Sequence, residues 1–124
     1  MKDLQHKDNI KFIKMMGGES DEILGYGWIY VDKDDQKSEV SLCVAEEHRG
    51  KGIAKQILMY LEEKIIENEL PVTIRATIKG SNTHSDAMLR LLQSQEYKPI
   101  HDFETIINLL RAGADVLFYK QLSI

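Results

Sequence analysis

Cysteine and long apolar runs are nearly absent from this sequence. Cys43 is the only cysteine among 124 residues, so neither an internal disulfide nor a four-cysteine zinc site can form. No apolar stretch approaches the roughly 20 residues that a membrane-spanning helix needs. The polar start from Met1 to His6 lacks the apolar segment of a signal peptide. We therefore expect a cytoplasmic protein with no bound metal and no membrane partner.

An excess of positive charge is also missing. The formal net charge is −4, which gives no electrostatic reason to expect nucleic acid as a partner. Arg49, Lys51 and Lys55 form the one local basic cluster. Hydrophobic residues make up 43% and charged residues 29%, which is the balance of a globular protein. At this length we expect a single domain covering residues 1–124.

The first 45 residues carry the alternating apolar pattern of β-strands. Strand-like content covers Ile10–Met15 and Ile23–Val31. In a third stretch Val40, Leu42 and Val44 alternate with more polar neighbours. A polar run separates the last two stretches and predicts a turn, so these two strands should pair as an antiparallel hairpin.

From Gly52 onward the spacing of apolar residues changes to that of helices. The stripe of the first helix consists of Ile53, Ala54, Ile57, Leu58, Tyr60, Leu61 and Ile65. This pattern predicts an amphipathic helix that Pro71 ends. A strand over 72–78 and a second helix capped by Ser85 or Asp86 should follow.

The last quarter of the chain fits two structures. Apolar residues between 103 and 110 have the spacing of a helix that Gly113 would stop. The segments Thr105–Leu109 and Val116–Tyr119 also fit two strands joined by a turn. We favour the hairpin, and we expect a last strand over Val116–Gln121 in either case.

The most informative stretch joins the third strand to the first helix. It reads Arg49-Gly50-Lys51-Gly52-Ile53-Ala54 and follows Leu42-Cys43-Val44. Two glycines one residue apart let the backbone come close to a ligand, and the first N–H groups of a helix have no partner within it. The stretch therefore predicts a site for a pyrophosphate-like anion. It lacks the Ser or Thr that follows the lysine of a nucleotide-binding P-loop.

These residues resemble the signature of the GNAT superfamily of acyl-CoA-dependent N-acyltransferases. That signature is Arg or Gln, two residues, Gly, one residue, then Gly or Ala, after a strand of the form Leu-x-Val. The resemblance covers roughly residues 20–100. It implies an α+β fold with a GNAT-like mixed central sheet, mostly antiparallel and splayed at the cofactor strand, with helices packed on it. It also implies acetyl-CoA as the co-substrate.

The resemblance further implies which residues hold acetyl-CoA. In the family the strand before the loop carries a bulge, and the pantetheine arm bonds to its backbone. One backbone N–H near Cys43 or Val44 would then polarise the thioester carbonyl. The residues that the resemblance places at the cofactor are Leu42, Cys43, Val44, Arg49, Gly50, Lys51, Gly52, Ile53, Ala54, Lys55, Asn82 and Ser85.

The second helix departs from the family pattern. Counting back from the aromatic residue after this helix puts Glu96 where the family has glycine, and Leu92 where it has a tyrosine that protonates the departing thiolate. Ser85 falls where the family has an asparagine. Asn82 would serve as that asparagine if the loop is longer, and His84 could contact the cofactor. The usual general acid is therefore missing.

The acceptor side is less defined. Glu39, near the start of the cofactor strand, is our candidate for the base that takes the proton of the attacking amine. Tyr26, His101 and Tyr119 are further candidates. The residues before Ile23 show no helical stripe, so the acceptor side should be open, or be completed by a second copy of the chain in a homodimer.

These observations lead to three hypotheses. The leading one is an N-acetyltransferase that moves acetyl from acetyl-CoA to a primary amine of a small molecule, protein or peptide, by direct attack in a ternary complex. The alternative is a non-catalytic module that binds acetyl-CoA or CoA and regulates a protein partner, as Leu92 in place of tyrosine suggests. The third is a small α+β interaction domain without a ligand.

Overall fold

The computed structural model describes residues 11–16, 23–80 and 85–123 of the chain. The chain divides into two compact units, unit 1 with Met1–Ile74 and Leu122–Ile124, and unit 2 with Arg75–Gln121. The expectation of a single domain over 1–124 stays a prediction.

Within the described residues the chain forms six strands, three α-helices and one short 3₁₀ helix. The strands are β1 (Lys11–Met16), β2 (Ile23–Asp32), β3 (Lys37–Val44), β4 (Thr73–Ile78), β5 (Lys98–Pro99) and β6 (Val116–Gln121). The α-helices are α1 (Ile53–Glu67), α2 (Ser85–Ser94) and α3 (Phe103–Arg111), and the 3₁₀ helix covers Glu46–His48.

Unit 1 contains the antiparallel strands β1, β2 and β3, in that order. The register of β2 and β3 runs without interruption from Gly25 opposite Val44 to Asp32 opposite Lys37, which confirms the predicted hairpin. The bulge that the family resemblance implied in β3 is absent from this pairing, because each β3 residue has one partner on β2. The implied bulge stays a prediction for the other edge of β3.

Helix α1 covers one face of the β2–β3 hairpin. Its buried residues are Ile53, Ile57, Leu58, Leu61 and Ile65. A Cβ added to Gly27 would lie 2.5 Å from Cγ2 of Ile57 and 3.1 Å from Cδ1 of Leu61, so helix and strand are too close for a side chain there. Tyr60 was wrongly placed in the apolar stripe: it lies about 100° around the helix from Leu61 and is 39% exposed.

Unit 2 contains the second helix, the third helix and the last strand. β5 pairs with β6 in antiparallel register, Lys98 opposite Tyr119 and Pro99 opposite Phe118. The core of this unit consists of Ala76, Ile78, Leu89, Leu92, Tyr97, Ile106, Leu110, Val116 and Phe118. The predicted strand Val116–Gln121 is confirmed at both ends.

The favoured hairpin over residues 105–119 is wrong, since its first half is the helix α3. Asp102 caps this helix: its carboxylate accepts a hydrogen bond from the Thr105 backbone N–H at 2.8 Å. Ile106 and Leu110, four residues apart, are its buried side chains. The helical alternative, stopped by Gly113, is therefore the correct one.

All three α-helices end in the same hydrogen-bonded turn. In each turn the backbone N–H of the residue two positions after the C-cap donates to the carbonyl of the residue five positions earlier. The pairs are Leu70 to Ile65, Tyr97 to Leu92 and Ala114 to Leu109, each at 2.9 Å. This turn requires a left-handed residue one position earlier. Glycine occupies it only after α3, at Gly113 with φ 83°, whereas Glu69 and Glu96 occupy it after α1 and α2 with φ 55° and 67°.

The observed class is α+β with mostly antiparallel strands and helices packed on them, as expected. The splay beside the cofactor strand stays a prediction. No helix among the described residues is long and apolar enough to cross a membrane.

Candidate functional site

At the end of β3, Cys43 and Val44 direct their backbone N–H and C=O groups to opposite edges of the strand. The Ala45 N–H donates to the Leu24 carbonyl at 2.9 Å, so Leu24 and Ala45 form a hydrogen-bonded pair. Such pairs alternate along an antiparallel ladder. Cys43 therefore bonds to Tyr26 on β2, while the N–H and C=O of Val44 point to the opposite edge of β3. Of the two predicted oxyanion donors, only Val44 has an N–H on that outer edge.

Arg49 ties the following loop back to this edge. Its Nε donates to the Val44 carbonyl at 3.2 Å, across the turn formed by Glu46–His48. Within that turn the His48 N–H bonds to the Ala45 carbonyl at 2.9 Å. The arginine is exposed, and one of its five N–H groups makes this bond. Arg49 thus fixes the loop geometry as well as adding charge.

Gly50 and Gly52 shape the loop that leads into α1. Their φ angles are 81° and 79°, in the left-handed region that disfavours side chains. A Cβ on either glycine would meet no atom within 4 Å. No contact within the described structure fills the space beside these two residues, so the backbone there is open to a ligand.

The start of α1 supplies donors and positive charge. Gly52 caps the helix without a side-chain hydrogen bond, and the first turn contains no acidic residue. The Gln56 N–H donates to the Gly52 carbonyl at 3.2 Å. The N–H groups of Ile53, Ala54 and Lys55, which precede it, therefore have no acceptor within the helix. Lys51 and Lys55 are both exposed beside them.

Together these features form a site for an anionic group at the start of α1, next to the end of β3. The helix dipole and the orphan N–H groups favour negative charge, such as a pyrophosphate. At this end of β3 the Val44 N–H faces away from β2, and a strand N–H can bond to an extended polar chain. No group of three or more His, Cys, Asp or Glu in the described segments is arranged to hold a metal.

The structure brings most of the predicted cofactor residues together in unit 1. Leu42, Cys43 and Val44 end β3, and residues 49–55 form the loop and the first turn of α1. Asn82 and His84 lie outside the described residues. Ser85 is the first residue of α2, in unit 2.

The structure describes both residues that depart from the family pattern, Leu92 in α2 and Glu96 just after it. Leu92 is 2% exposed and belongs to the core of unit 2, where a tyrosine hydroxyl would find itself among apolar side chains. Glu96 has φ 67°, the conformation that glycine adopts most easily. This agrees with the alignment that put Glu96 in the place of the family's glycine.

Glu39 lies on β3, four residues before Cys43 and opposite Tyr30 on β2. Four strand residues span about 13 Å. A glutamate side chain cannot bridge that length, so Glu39 would need water to act as a base on an amine beside Cys43.

Two features of the site were not predicted from the sequence. Gly25 and Gly27 make room for α1, and their spacing of two within an otherwise aromatic strand was the available signal. The different hydrogen-bonding roles of Cys43 and Val44 depend on the pairing register, which the sequence pattern does not specify.

Comparison with known proteins agrees with this geometry. The sequence profile described as the acetyltransferase (GNAT) family matches residues 3–92. The chain therefore belongs to the GNAT acetyltransferase family. A search of curated protein sequences finds no match to it.

Solved structures share the fold at low sequence identity. A ribosomal-protein-alanine N-acetyltransferase from Brucella melitensis has a TM-score of 0.65 at 22% identity, over 90% of this chain and 69% of its own. An N-acetyltransferase from Staphylococcus aureus has a TM-score of 0.63 at 21% identity, over 86% of this chain and 65% of its own. A Salmonella typhimurium protein whose structure includes its cofactor acetyl-CoA has a TM-score of 0.61 at 20% identity, over 82% of this chain and 60% of its own.

Proposed function

We propose that this protein is an acetyl-CoA-dependent N-acetyltransferase that acetylates a primary amine by direct attack. The observation that carries the proposal is the open left-handed loop at Gly50 and Gly52, which leads from the end of β3 into the first turn of α1. Family membership supports the reaction class.

The residues present fit acetyl-CoA. A pyrophosphate would be held by the backbone N–H groups of residues 50–55 and by the positive charges of Lys51 and Lys55. A Cβ at Gly50 or Gly52 would meet no protein atom within 4 Å, so a ligand group has room to lie against either glycine. Leu42 and Val44 have the backbone groups that an extended pantetheine chain can bond to. In this arrangement Cys43 acts through its position on β3 and not as a nucleophile.

Acetyl-CoA, when bound, supplies a thioester whose carbonyl carbon an amine nitrogen attacks; the C–N bond forms, the C–S bond breaks, and CoA leaves as a thiolate that takes up a proton. In this proposal the Val44 N–H donates to the carbonyl oxygen as it gains negative charge. Arg49 holds the Val44 carbonyl and so keeps this peptide in place. One well-placed donor of this kind contributes about 10² to 10³ in rate.

The departing thiol needs little help from a general acid, whereas the attacking amine needs a base to remove its proton. A thiol has a pKa of about 8.5, so CoA departs as a thiolate without the tyrosine that Leu92 replaces. An alkylamine with a pKa of about 10.4 must lose a proton before it attacks. Glu39, acting through water, stays the predicted base for this step.

Calorimetric titration with acetyl-CoA, followed by a thiol-release assay over a panel of amines, tests the proposal. Binding with amine-dependent release of CoA supports it. Absence of binding at micromolar acetyl-CoA would overturn it.

The alternative function is a module that binds acetyl-CoA or CoA without catalysis and regulates a protein partner. The buried Leu92 favours it, because the position lacks any proton donor. Under this alternative the titration shows binding while no amine releases CoA.

A further inference from the structure

An open apolar groove lies at the C-terminal end of α1, within unit 1. Its volume is about 200 Å³, and it is lined by Ile65, Ile66, Glu69, Leu70 and Val72. Ile65 is fully buried, whereas Ile66 is 40% exposed. Leu70 and Val72 are half-buried. The groove therefore presents aliphatic side chains to solvent beside one carboxylate.

Hydrogen bonds fix the backbone that forms this groove. The Leu70 N–H donates to the Ile65 carbonyl at 2.9 Å, in the turn that ends α1. The Pro71 carbonyl accepts a hydrogen bond from the Ser38 hydroxyl at 2.7 Å. The Val72 carbonyl accepts one from the Leu122 N–H at 2.9 Å. Because the groove is already formed, a partner that enters it loses little free energy in ordering the backbone.

The exposed side of α1 continues the groove as an apolar strip. Met59 is 51% exposed and lies two helical turns, about 10.5 Å, before Ile66 on the same face. Glu63 is exposed between them, four residues after Met59 and three before Ile66. We call these residues the α1 docking surface, and it consists of Met59, Glu63, Ile66, Glu69, Leu70 and Val72.

The charge around this surface is negative. Residues 62–69 contain four glutamates and one cation, Lys64, which pairs with Glu67 at 3.2 Å. The C-terminal end of a helix itself carries partial negative charge and favours cations. The glutamates are therefore unfavourably placed with respect to the helix dipole, and a positively charged partner would relieve their repulsion.

The same charge disfavours a second copy of the chain as the occupant. In an antiparallel pairing of two α1 helices that puts Ile66 against Met59 of the second copy, Glu63 faces Glu62 of that copy. In a parallel pairing Glu63 faces its own equivalent. Either arrangement brings carboxylates together at the centre of the apolar contact, where like charges are costly. A basic partner has the complementary charge.

From this geometry we infer that the α1 docking surface binds an amphipathic basic helix of a partner protein. Two apolar side chains seven residues apart lie against Ile66 and Met59, and a Lys or Arg between them pairs with Glu63. The surface is about 20 Å along α1 from the anion loop, so the partner and acetyl-CoA can bind together. The inference does not rest on acetyl transfer.

A displayed library of 15-residue alanine-based helical peptides tests the class of partner. The library is randomised at positions i, i+3, i+4 and i+7 and selected against the full chain, and peptides that also bind Ile66→Ser are discarded. We expect aliphatic residues at i and i+7, with Lys or Arg at i+3 or i+4. Selection of acidic peptides, or of no peptide that depends on Ile66, would overturn the inference.

Fluorescence anisotropy with the best selected peptide tests the apolar contact. Ile66→Ser should weaken binding more than about tenfold, because it removes an apolar anchor from the groove. Phe103→Ser is the matched control: Phe103 is 60% exposed on α3, and its replacement should leave affinity unchanged. Unfolding curves establish that each variant is folded. Equal losses for the two variants would mean that the peptide does not recognise this surface.

A reversal of charge tests the electrostatic contact. Glu63→Lys should weaken binding of the basic peptide and strengthen binding of the same peptide with glutamate in place of its basic residues. Glu104→Lys makes the same change on the exposed side of α3 and should not alter the preference between the two peptides. If both variants shift the preference equally, net charge and not Glu63 is responsible, and the assigned contact is wrong.

Sedimentation velocity and acetyl-CoA titration separate the remaining outcomes. A dimer of the unmodified protein that Ile66→Ser dissociates would make the surface an interface between copies, and the basic partner would be wrong. Acetyl-CoA affinity should be the same with and without the bound peptide. If acetyl-CoA does not bind at all, the proposed function fails while peptide binding still decides this inference.

Discussion

Left-handed backbone occurs both in the loop before α1 and at helix ends, and the residues that adopt it differ between these places. In the loop before α1 it is adopted by Gly50 and Gly52, with φ near 80°. After α1 and α2 it is adopted by Glu69 and Glu96, with φ 55° and 67°. A side chain in this conformation costs about 1–2 kcal/mol, so the two glutamates each reduce stability. The fold tolerates that cost at helix ends.

The comparison shows what the glycines of the loop add. At a helix end the turn requires only the backbone conformation, and hydrogen bonds such as Tyr97 N–H to the Leu92 carbonyl hold it in place. In the loop, the absence of a side chain also leaves open the space beside Gly50 and Gly52. We infer that glycine is needed there for access as well as for conformation.

Gly27 meets a third requirement, close packing between β2 and α1. Its replacement should have the largest effect of the changes considered, and the effect is on stability. Gly27→Ala places a Cβ 2.5 Å from Cγ2 of Ile57, so strand and helix must separate. We expect a loss of about 1–3 kcal/mol in the free energy of unfolding, measured by urea denaturation. The control is a double-mutant cycle with Ile57→Ala, in which the double variant should lose less than the sum of the two. Additive losses would contradict the contact.

Replacing Gly52 tests the need for access directly. Gly52→Val should weaken acetyl-CoA binding more than about tenfold in calorimetry, because its side chain projects into the anion site. Gly113→Val is the matched control: its φ is 83° and it too has open space beside it, but it ends α3. It should cost similar stability and leave affinity unchanged. Equal affinities for both variants would contradict the need for glycine at position 52 in acetyl-CoA binding.

Glu96→Gly should increase stability by a smaller amount. Relief of the left-handed strain, set against the greater freedom of glycine in the unfolded chain, should add about 0.5–1 kcal/mol to the free energy of unfolding. Glu69→Gly should act in the same direction. Glu104→Gly, within the helix α3, is the control and should lower stability by about as much. A destabilised Glu96→Gly variant would mean that the glutamate side chain makes a compensating contact.

The smallest effect concerns pH and the cap of α3. Hydrogen bonds from Thr105 lower the pKa of Asp102 below its ordinary value. Its contribution to stability is therefore fully present above the unfolded pKa of about 3.9 and is lost as the pH falls through the lower folded pKa. Thermal unfolding across this acidic range should show a weaker pH dependence for Asp102→Ser, which keeps a capping oxygen but does not titrate. An unchanged profile would show that Asp102 does not contribute to the pH dependence of stability.

Much of the fold was predictable because local patterns determine it. The β2–β3 hairpin follows from alternating residues around a polar turn, and α1 follows from apolar residues four apart. The stretch 103–110 was not decided in this way, since short apolar runs fit helix and strand alike. There the Asp102 cap and the turn at Gly113 favour the helix.

The sequence by itself determined the anion loop, because its function depends on glycines and helix N–H groups that are adjacent along the chain. Only the tertiary structure decided which edge of β3 the Val44 N–H faces and which side of the hairpin α1 occupies. Both depend on pairing register and on packing between segments distant in sequence, and a one-residue slip would reverse them. The same register puts Tyr26, Tyr30 and Glu39 on the side of the hairpin away from α1.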